Sequence, residues 1–181
     1  MALTPPQKDT AGEANPPLPK FRVSLHCRAS FLDEDKVRED EKLAIEAACT
    51  RLQQRYGTLA DRQDPKFAEL FIKDATIILP EYPPFAGLDA IMAGQKQWRE
   101  SGTFMRHICT NFTIDVKSAT HATGICYLTV LSFDMPPKEP LPQSKPPSFG
   151  EFHDHFVKLS GAWYFQSRTL HRYFRGFAQT A

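Results

Sequence analysis

The chain lacks the features that mark membrane-spanning, secreted and nucleic-acid-binding proteins. Its 181 residues contain no apolar run close to the roughly twenty residues that cross a bilayer. The N-terminus has no charged region followed by an apolar one, so it does not resemble a secretory signal. Charge is nearly balanced, with 22 basic and 21 acidic residues, and no basic stripe stands out. We therefore expect a cytoplasmic protein that binds neither nucleic acid nor membrane.

Glycine-rich phosphate loops, a dinucleotide fingerprint and a Gly-x-Ser-x-Gly elbow are also missing, which argues against nucleotide-driven and serine-hydrolase chemistry. The four cysteines form no Cys-x-x-Cys pair. His153 and His155 lie two apart on a predicted strand, a spacing that can chelate zinc or iron. Because no third ligand lies at an obvious spacing, we expect no metal there and no cofactor.

Proline divides the chain. Five of the 15 prolines lie within residues 5–19 and six within residues 136–147. The first cluster belongs to a segment, residues 1–35, that is too poor in apolar side chains to order itself, so it predicts a flexible tail or arm. The second predicts a long loop at 134–149, since proline cannot donate sheet hydrogen bonds. Residues 36–178 are enough for a single domain.

Apolar periodicity predicts helices first and strands afterwards. Steps of three and four residues indicate a helix over about 45–59, Asp64-Pro65 starts a second, and a third follows Gly87. The predicted strands are residues 75–79, 106–116, 122–133, 149–159 and 163–174, with a turn at Ser160-Gly161 between the last two. This order is typical of an α+β fold in which helices cover one face of a curved sheet.

Short motifs occur in a set order along this pattern. They are Tyr56 through Asp61 with Asp64, Phe67-x-x-Leu70-Phe71-x-x-Asp74-Ala75, Gly87-x-x-x-Ile91, Arg106-His107 with Thr110-Asn111, Phe152-x-Asp154-x-Phe156, and Gly161-x-Trp163 with Arg168. Together they resemble the SnoaL-like branch of the nuclear-transport-factor-2-like superfamily. The resemblance implies a cone-shaped barrel, in which a strongly curved, mostly antiparallel sheet wraps N-terminal helices around an apolar pocket. It also implies a homodimer, paired through the uncovered face of the sheet.

The resemblance leaves two functions open, because the superfamily contains enzymes and structural subunits. One is a cofactor-free isomerase, cyclase or dehydratase that transfers protons on a hydrophobic oxygenated metabolite, as in secondary metabolism. The other is a non-catalytic ligand-binding or assembly subunit similar to the β subunits of ring-hydroxylating dioxygenases. A deep pocket would favour the enzyme, and a cone filled with side chains the subunit. Scytalone dehydratase resembles the chain at Asp61 and His107 but differs at Ala60 and Cys126, so its particular dehydration is not expected.

Asp61 and His107 are the candidate catalytic pair, because histidine titrates near neutrality and a carboxylate partner fixes its tautomer. The alternative places Asp61 in solvent and His107 at a strand edge, bonded to backbone. Strict alternation puts His107 and Asn111 on the face opposite Phe112, so periodicity alone does not turn His107 toward an apolar pocket unless a bulge changes the parity. Asp64 competes with Asp61, but helix capping explains its place before proline.

Seven further residues are predicted to contact a substrate: Tyr56, Tyr82, Trp98, Asn111, Cys126, Phe152 and Asp154. The hydroxyls of Tyr56 and Tyr82 could donate to a carbonyl oxygen on which charge develops, although packing also explains both tyrosines. Asp154 lies among phenylalanines and needs a partner if it is buried. A structural ion pair with Arg168, on the next predicted strand, is the favoured interpretation.

Overall fold

The computed structural model describes residues 37–133 and 147–174. These belong to one unit, which extends from Asp35 to Ala181. The predicted tail and most of the predicted proline-rich loop lie outside the described residues. The elements are α1 (Glu39–Arg62), a 3₁₀ helix (Pro65–Leu70), β1 (Phe71–Ile78), β2 (Phe85–Ala86), α2 (Leu88–Glu100), β3 (Phe104–Val116), β4 (His121–Phe133), β5 (Ser148–Leu159) and β6 (Ala162–Phe174).

The predicted α+β class is confirmed, and several elements differ from the prediction. The helix predicted at Pro65 is a single 3₁₀ helix, and the Asp64 carboxylate caps it by accepting from the Lys66 N–H at 2.9 Å. β1 starts earlier than predicted, and the two-residue β2 is too short for periodicity to signal. Ser148 already begins β5 and pairs with Val130, inside the range 134–149 predicted for the proline-rich loop.

The six strands form one curved sheet in the order β2-β1-β6-β5-β4-β3. β1 runs parallel to β6, and the other neighbours are antiparallel. The sheet does not close, so β3 is left at an edge of the described part of the chain. α1 packs on the inner face of the sheet and contacts β3, β4 and β6. This packing brings the end of α1 to the free edge of β3.

Helix α1 follows from its sequence. Its first turn carries Glu39, Asp40 and Glu41, whose negative charges are favourable at a helix N-terminus. A stripe at steps of three and four is buried against the sheet, and it contains Ile45, Cys49, Leu52 and Tyr56. The helix stops where Gln63 adopts a left-handed conformation with φ 54°.

The centre of the core is aromatic and contains one buried charge pair. The Arg168 guanidinium lies 4.1 Å from the ring centroids of Tyr56 and Phe152. Two hydrogen bonds of 2.7 Å join this guanidinium to the Asp154 carboxylate, and the Gln53 amide donates to the same carboxylate at 2.8 Å. Both charged side chains are fully buried. The structural ion pair favoured from the sequence is therefore present.

Candidate active site

Asp61 and His107, 46 residues apart in sequence, meet where the last turn of α1 reaches β3. One carboxylate oxygen of Asp61 lies 2.6 Å from the imidazole Nδ1 of His107. The same carboxylate accepts the backbone N–H of His107, at 2.9 Å and 3.2 Å to its two oxygens. Because a carboxylate only accepts hydrogen bonds, this contact places the imidazole proton on Nδ1 and leaves the lone pair on Nε2.

The contact also satisfies a backbone N–H group of β3 and offsets an unfavourable charge at the end of α1. An edge strand has backbone N–H groups without a strand partner, and Asp61 satisfies the one on His107. A negative charge in the last turn of a helix opposes the helix dipole, so the position of Asp61 is unfavourable for α1 alone. The tertiary contact with His107 offsets that local cost.

A β-bulge explains why His107 faces inward. Asn111 has φ 53°, and the pairing of β3 with β4 shifts register between Thr110 and Thr113. The bulge switches the alternation, so that His107 and Phe112 face the same side of the sheet and Asn111 is exposed. Strict alternation would place His107 and Phe112 on opposite faces, and the bulge between them supplies the change of parity that periodicity left open.

Gly57 lets α1 approach β3 closely. It precedes Asp61 by one helical turn and therefore lies on the same face of α1. A Cβ atom at this position would lie 3.2 Å from the Cβ of His107 and 3.4 Å from its carbonyl oxygen. A larger side chain would push the helix away from the strand. The glycine thus sets the distance across which Asp61 reaches His107.

His107 lines a cavity of about 250 Å³ inside the sheet. The other lining residues are Tyr56, Ala60, Leu79, Tyr82, Gln95, Trp98, Met105, Leu128, Val130, Ser132, Ser148, Phe152, Leu170 and Arg172. Most of this wall is apolar. Arg172 forms a 2.6 Å ion pair with Glu81, and Tyr82 packs edge-on against Trp98 with their ring centroids 5.9 Å apart. An apolar cavity with a few polar groups is the usual form of a small-molecule site.

Tyr56 brings a hydroxyl to this cavity. Its side chain is buried and its ring meets that of His107 edge-on, with centroids 6.1 Å apart. Burial raises the pKa of Tyr56 to about 12, so the hydroxyl keeps its proton at neutral pH. No hydrogen bond joins this hydroxyl to any residue within 37–133 or 147–174. It is available to donate to a ligand.

The structure brings together some of the predicted site residues and separates others. Tyr56, Tyr82, Trp98 and Phe152 line the cavity together with His107, and Asp61 lies directly behind the imidazole.

Three predicted substrate contacts lie elsewhere. Asn111 is exposed at the bulge, and Asp154 is held by Arg168 in the core. Cys126 is fully buried beside Cys109. The hydrogen bond between the two thiols lowers the pKa of the Cys109 thiol to about 7. None of the three lines the cavity that contains His107, so we do not retain them as substrate contacts.

Gln95 and Arg172 were missed as site residues. The signal for Gln95 was present, because it is the polar member of an otherwise apolar stripe on α2 with Leu88, Ile91 and Trp98. Arg172 gave no comparable signal, since a charge near a strand end is usually solvated.

The two histidines predicted on β5, His153 and His155, do not line this cavity. His153 bonds to the Glu151 carboxylate at 3.0 Å, and its ring centroid lies 4.3 Å from that of His171. Within the described ranges, no group of three or more His, Cys, Asp or Glu side chains is placed to hold a metal ion. The same part of the chain contains no helix long and apolar enough to cross a membrane.

The protein is an α+β cone that carries a carboxylate–histidine pair at the wall of an apolar cavity. The chain belongs to the SnoaL-like domain family, whose family model matches residues 41–169. No curated protein matches the chain.

Solved structures share the fold at low sequence identity. A protein of Novosphingobium aromaticivorans, provisionally assigned as a scytalone dehydratase, is 22% identical with a TM-score of 0.65 and covers 76% of this chain and 89% of its own. A hexachlorocyclohexane dehydrochlorinase of Novosphingobium barchaimii is 17% identical with a TM-score of 0.64, covering 78% and 96%. ActVI-ORFA of Streptomyces coelicolor is 19% identical with a TM-score of 0.57, covering 71% and 97%.

Proposed function

We propose that this protein is a cofactor-free acid–base enzyme that moves a proton on a hydrophobic, oxygenated small molecule. The observation that carries the proposal is the 2.6 Å contact between Asp61 and Nδ1 of His107 at the wall of an apolar cavity. A histidine held in one tautomer by a carboxylate, with its second nitrogen available, is the arrangement that general-base catalysis requires.

In the proposed reaction, Nε2 of His107 removes a proton from a carbon next to a carbonyl group. The electron pair of the broken C–H bond moves to the carbonyl oxygen and forms an enolate. The Tyr56 hydroxyl donates a hydrogen bond to that oxygen, where the negative charge develops. Asp61 stabilises the imidazolium that His107 becomes.

The enolate can then follow three courses, and all share the first step. Return of the proton to another carbon is isomerisation. Attack on a second carbonyl, whose oxygen then takes the proton from His107, is cyclisation. Loss of a β-hydroxyl group, which takes the proton from His107 and leaves as water, is dehydration. The reverse assignment, with Asp61 as the base and His107 as the acid, has less support, because Asp61 does not line the main cavity. The relatives named a dehydratase and a dehydrochlorinase support an elimination among these courses.

The test is exchange of carbon-bound hydrogen for deuterium in D₂O, followed by proton NMR on a panel of one- and two-ring ketones that includes 1-tetralone. We expect the protein to accelerate exchange next to the carbonyl of at least one ketone. His107→Ala and Asp61→Asn should each lower the rate about 10²- to 10⁴-fold. His121→Ala and Asp115→Asn, at exposed positions, are the matched controls and should leave the rate unchanged.

Two results would overturn the proposal. One is that a ketone binds in the cavity but no ketone of the panel shows enzyme-dependent exchange. The other is exchange that persists in His107→Ala. The first result would favour the binding-subunit alternative, for which a stable partner protein should then be sought, and the second would reject His107 as the base.

We further propose that the protein is a homodimer paired through the outer face of its sheet. That face exposes Ile108, Ile125, Tyr127, Phe149 and Tyr173, each at least 37% exposed. A cluster of large apolar side chains on one face is typical of an interface.

A further inference from the structure

Gln95 is a buried polar side chain that faces the cavity without a partner. It is 8% exposed and lines the cavity together with His107. No hydrogen bond joins its amide to another residue of the described chain, and its amide atoms are not among the fully buried atoms without a partner, so the amide is open to the cavity. A buried amide is unfavourable unless a hydrogen bond replaces its lost contact with water. The amide can therefore bond to a polar atom of a ligand in the cavity.

Gln95 lies on the side of the cavity where the catalytic pair is found. A small crevice next to the cavity is lined by Asp61, and four residues line both spaces. These are Ala60, Gln95, Trp98 and Met105. An oxygen atom held by Gln95 would thus be adjacent to the region that His107 reaches.

Packing on α2 does not explain a glutamine at this position. The neighbouring members of its helical stripe, Ile91 and Trp98, are apolar, and a leucine would continue the stripe at a similar volume. The hydrogen-bonding capacity of its neutral amide explains the glutamine better. A neutral amide can donate to a carbonyl oxygen, whereas a lysine or arginine at the same wall would pair with Asp61 and weaken its hold on His107.

We infer that Gln95 donates a hydrogen bond from its Nε2 to the carbonyl oxygen of the substrate, and so selects oxygenated ring compounds over hydrocarbons of the same shape. The inference deepens the proposed function and rests on it for the identity of that oxygen. As the enolate forms, the oxygen gains negative charge and the hydrogen bond from Gln95 strengthens, together with the one from Tyr56.

The test compares 1-tetralone with tetralin, which share a two-ring skeleton and differ by one carbonyl oxygen. An apolar cavity of about 150 Å³ holds benzene, so the cavity of about 250 Å³ here can take a two-ring probe. Ligand-observed NMR titrations should show 1-tetralone binding the full-length wild-type protein about 100-fold more tightly than tetralin, the ratio expected for two buried hydrogen bonds, one from Gln95 and one from Tyr56.

Two variants remove the donor in different ways. Gln95→Leu keeps the volume and removes all polarity, and Gln95→Glu keeps a polar group but has no N–H to donate. In both variants the affinity ratio should fall about 10-fold from its wild-type value, because only the hydrogen bond from Tyr56 remains. Gln97→Leu makes the same substitution at an exposed position of α2 and should keep the wild-type ratio. Circular dichroism of each variant checks that the fold is intact.

A wild-type ratio that persists in both Gln95 variants would overturn the assignment, because Tyr56 or another group would then hold the oxygen without Gln95. Equal binding of the two probes by the wild-type protein would overturn it as well. The outcome is separable from that of the proposed function, because it is read from binding and not from turnover. A fall of the ratio by about 10-fold in the Gln95 variants, together with no deuterium exchange, would support Gln95 as the oxygen contact and reject the acid–base reaction.

Discussion

The Asp61 carboxylate holds both the side chain and the backbone of His107. The carboxylate lies 2.6 Å from the imidazole Nδ1 and accepts the backbone N–H of the same residue at 2.9 Å. The second contact fixes the strand and the first fixes the ring, so the imidazole has little freedom to turn. The two side chains are 9% and 12% exposed, which limits competition from water.

We predict that the pair acts as one catalytic unit. Asp61→Asn should lower the deuterium-exchange rate about 10²- to 10⁴-fold, because the asparagine amide has no charge to balance an imidazolium. The fold should survive, since the asparagine oxygen can still accept the backbone N–H. His107→Ala should cost a similar factor, and the double variant little more, because members of one unit are not additive. A pair that was only structural would show lower melting temperatures with nearly unchanged turnover per molecule.

We predict that Gly57→Ala lowers activity and leaves stability nearly unchanged. Alanine favours a helix by about 1 kcal/mol over glycine, but its Cβ would lie 3.2 Å from the Cβ of His107 and push α1 outward. The two effects oppose each other, so the free energy of unfolding should stay within about 1 kcal/mol of wild type. The exchange rate should fall about 10-fold or more, because a small misplacement of catalytic groups is costly. Thr58→Ala, at an exposed position of α1, is the control. Unchanged exchange in Gly57→Ala would contradict this account of the helix approach.

We predict an alkaline loss of stability that depends on Tyr56. Burial raises the pKa of Tyr56 from 10.0 to about 12, so between these values the folded protein keeps a proton that the unfolded chain has lost. This contribution is fully present below pH 10 and is lost as the pH rises toward about 12. Urea unfolding at about pH 8 and about pH 11 should show wild type losing about 1.4 kcal/mol more than Tyr56→Phe. Equal losses in the two proteins would mean that the phenol is not buried in solution.

We predict that the Asp154–Arg168 ion pair is structural. Asp154→Asn leaves the Arg168 charge without compensation among aromatic rings, so the free energy of unfolding should fall by about 3–5 kcal/mol. The double variant Asp154→Leu with Arg168→Met removes both charges and should be more stable than Asp154→Asn. Urea denaturation measures all three proteins. A double variant less stable than the single one would show that the pair contributes net stability beyond charge compensation.

We predict that residues 1–35 are dispensable for the domain and that the outer sheet face forms a dimer. A chain that begins near Asp35 should fold and sediment as a dimer at micromolar concentration. Tyr127→Lys places a charge on that face, at a residue 50% exposed in the single chain, and should yield folded monomer. An unfolded truncated chain, or a full-length protein that sediments as a monomer, would count against the respective part of the prediction.

Much of the fold could be predicted because its signals are local. The apolar stripe of α1, the alternation of β3 to β6 and the turn at Ser160-Gly161 each reflect periodicities of a few residues. The order of these elements was sufficient for the α+β class. Asp61 and His107 could be named as candidates, because the sequence shows both their residue types and the motifs around them that resemble the family.

Tertiary structure alone decided whether these candidates meet. The bulge at Asn111 depends on how β3 pairs with β4, and it turns His107 inward where alternation would not show it. Gly57 is an ordinary helix glycine until α1 is packed against β3. Gln95 acquires a role only because the sheet leaves a cavity in front of it. Each of these features arises from contacts between residues distant in sequence, which local periodicity does not record.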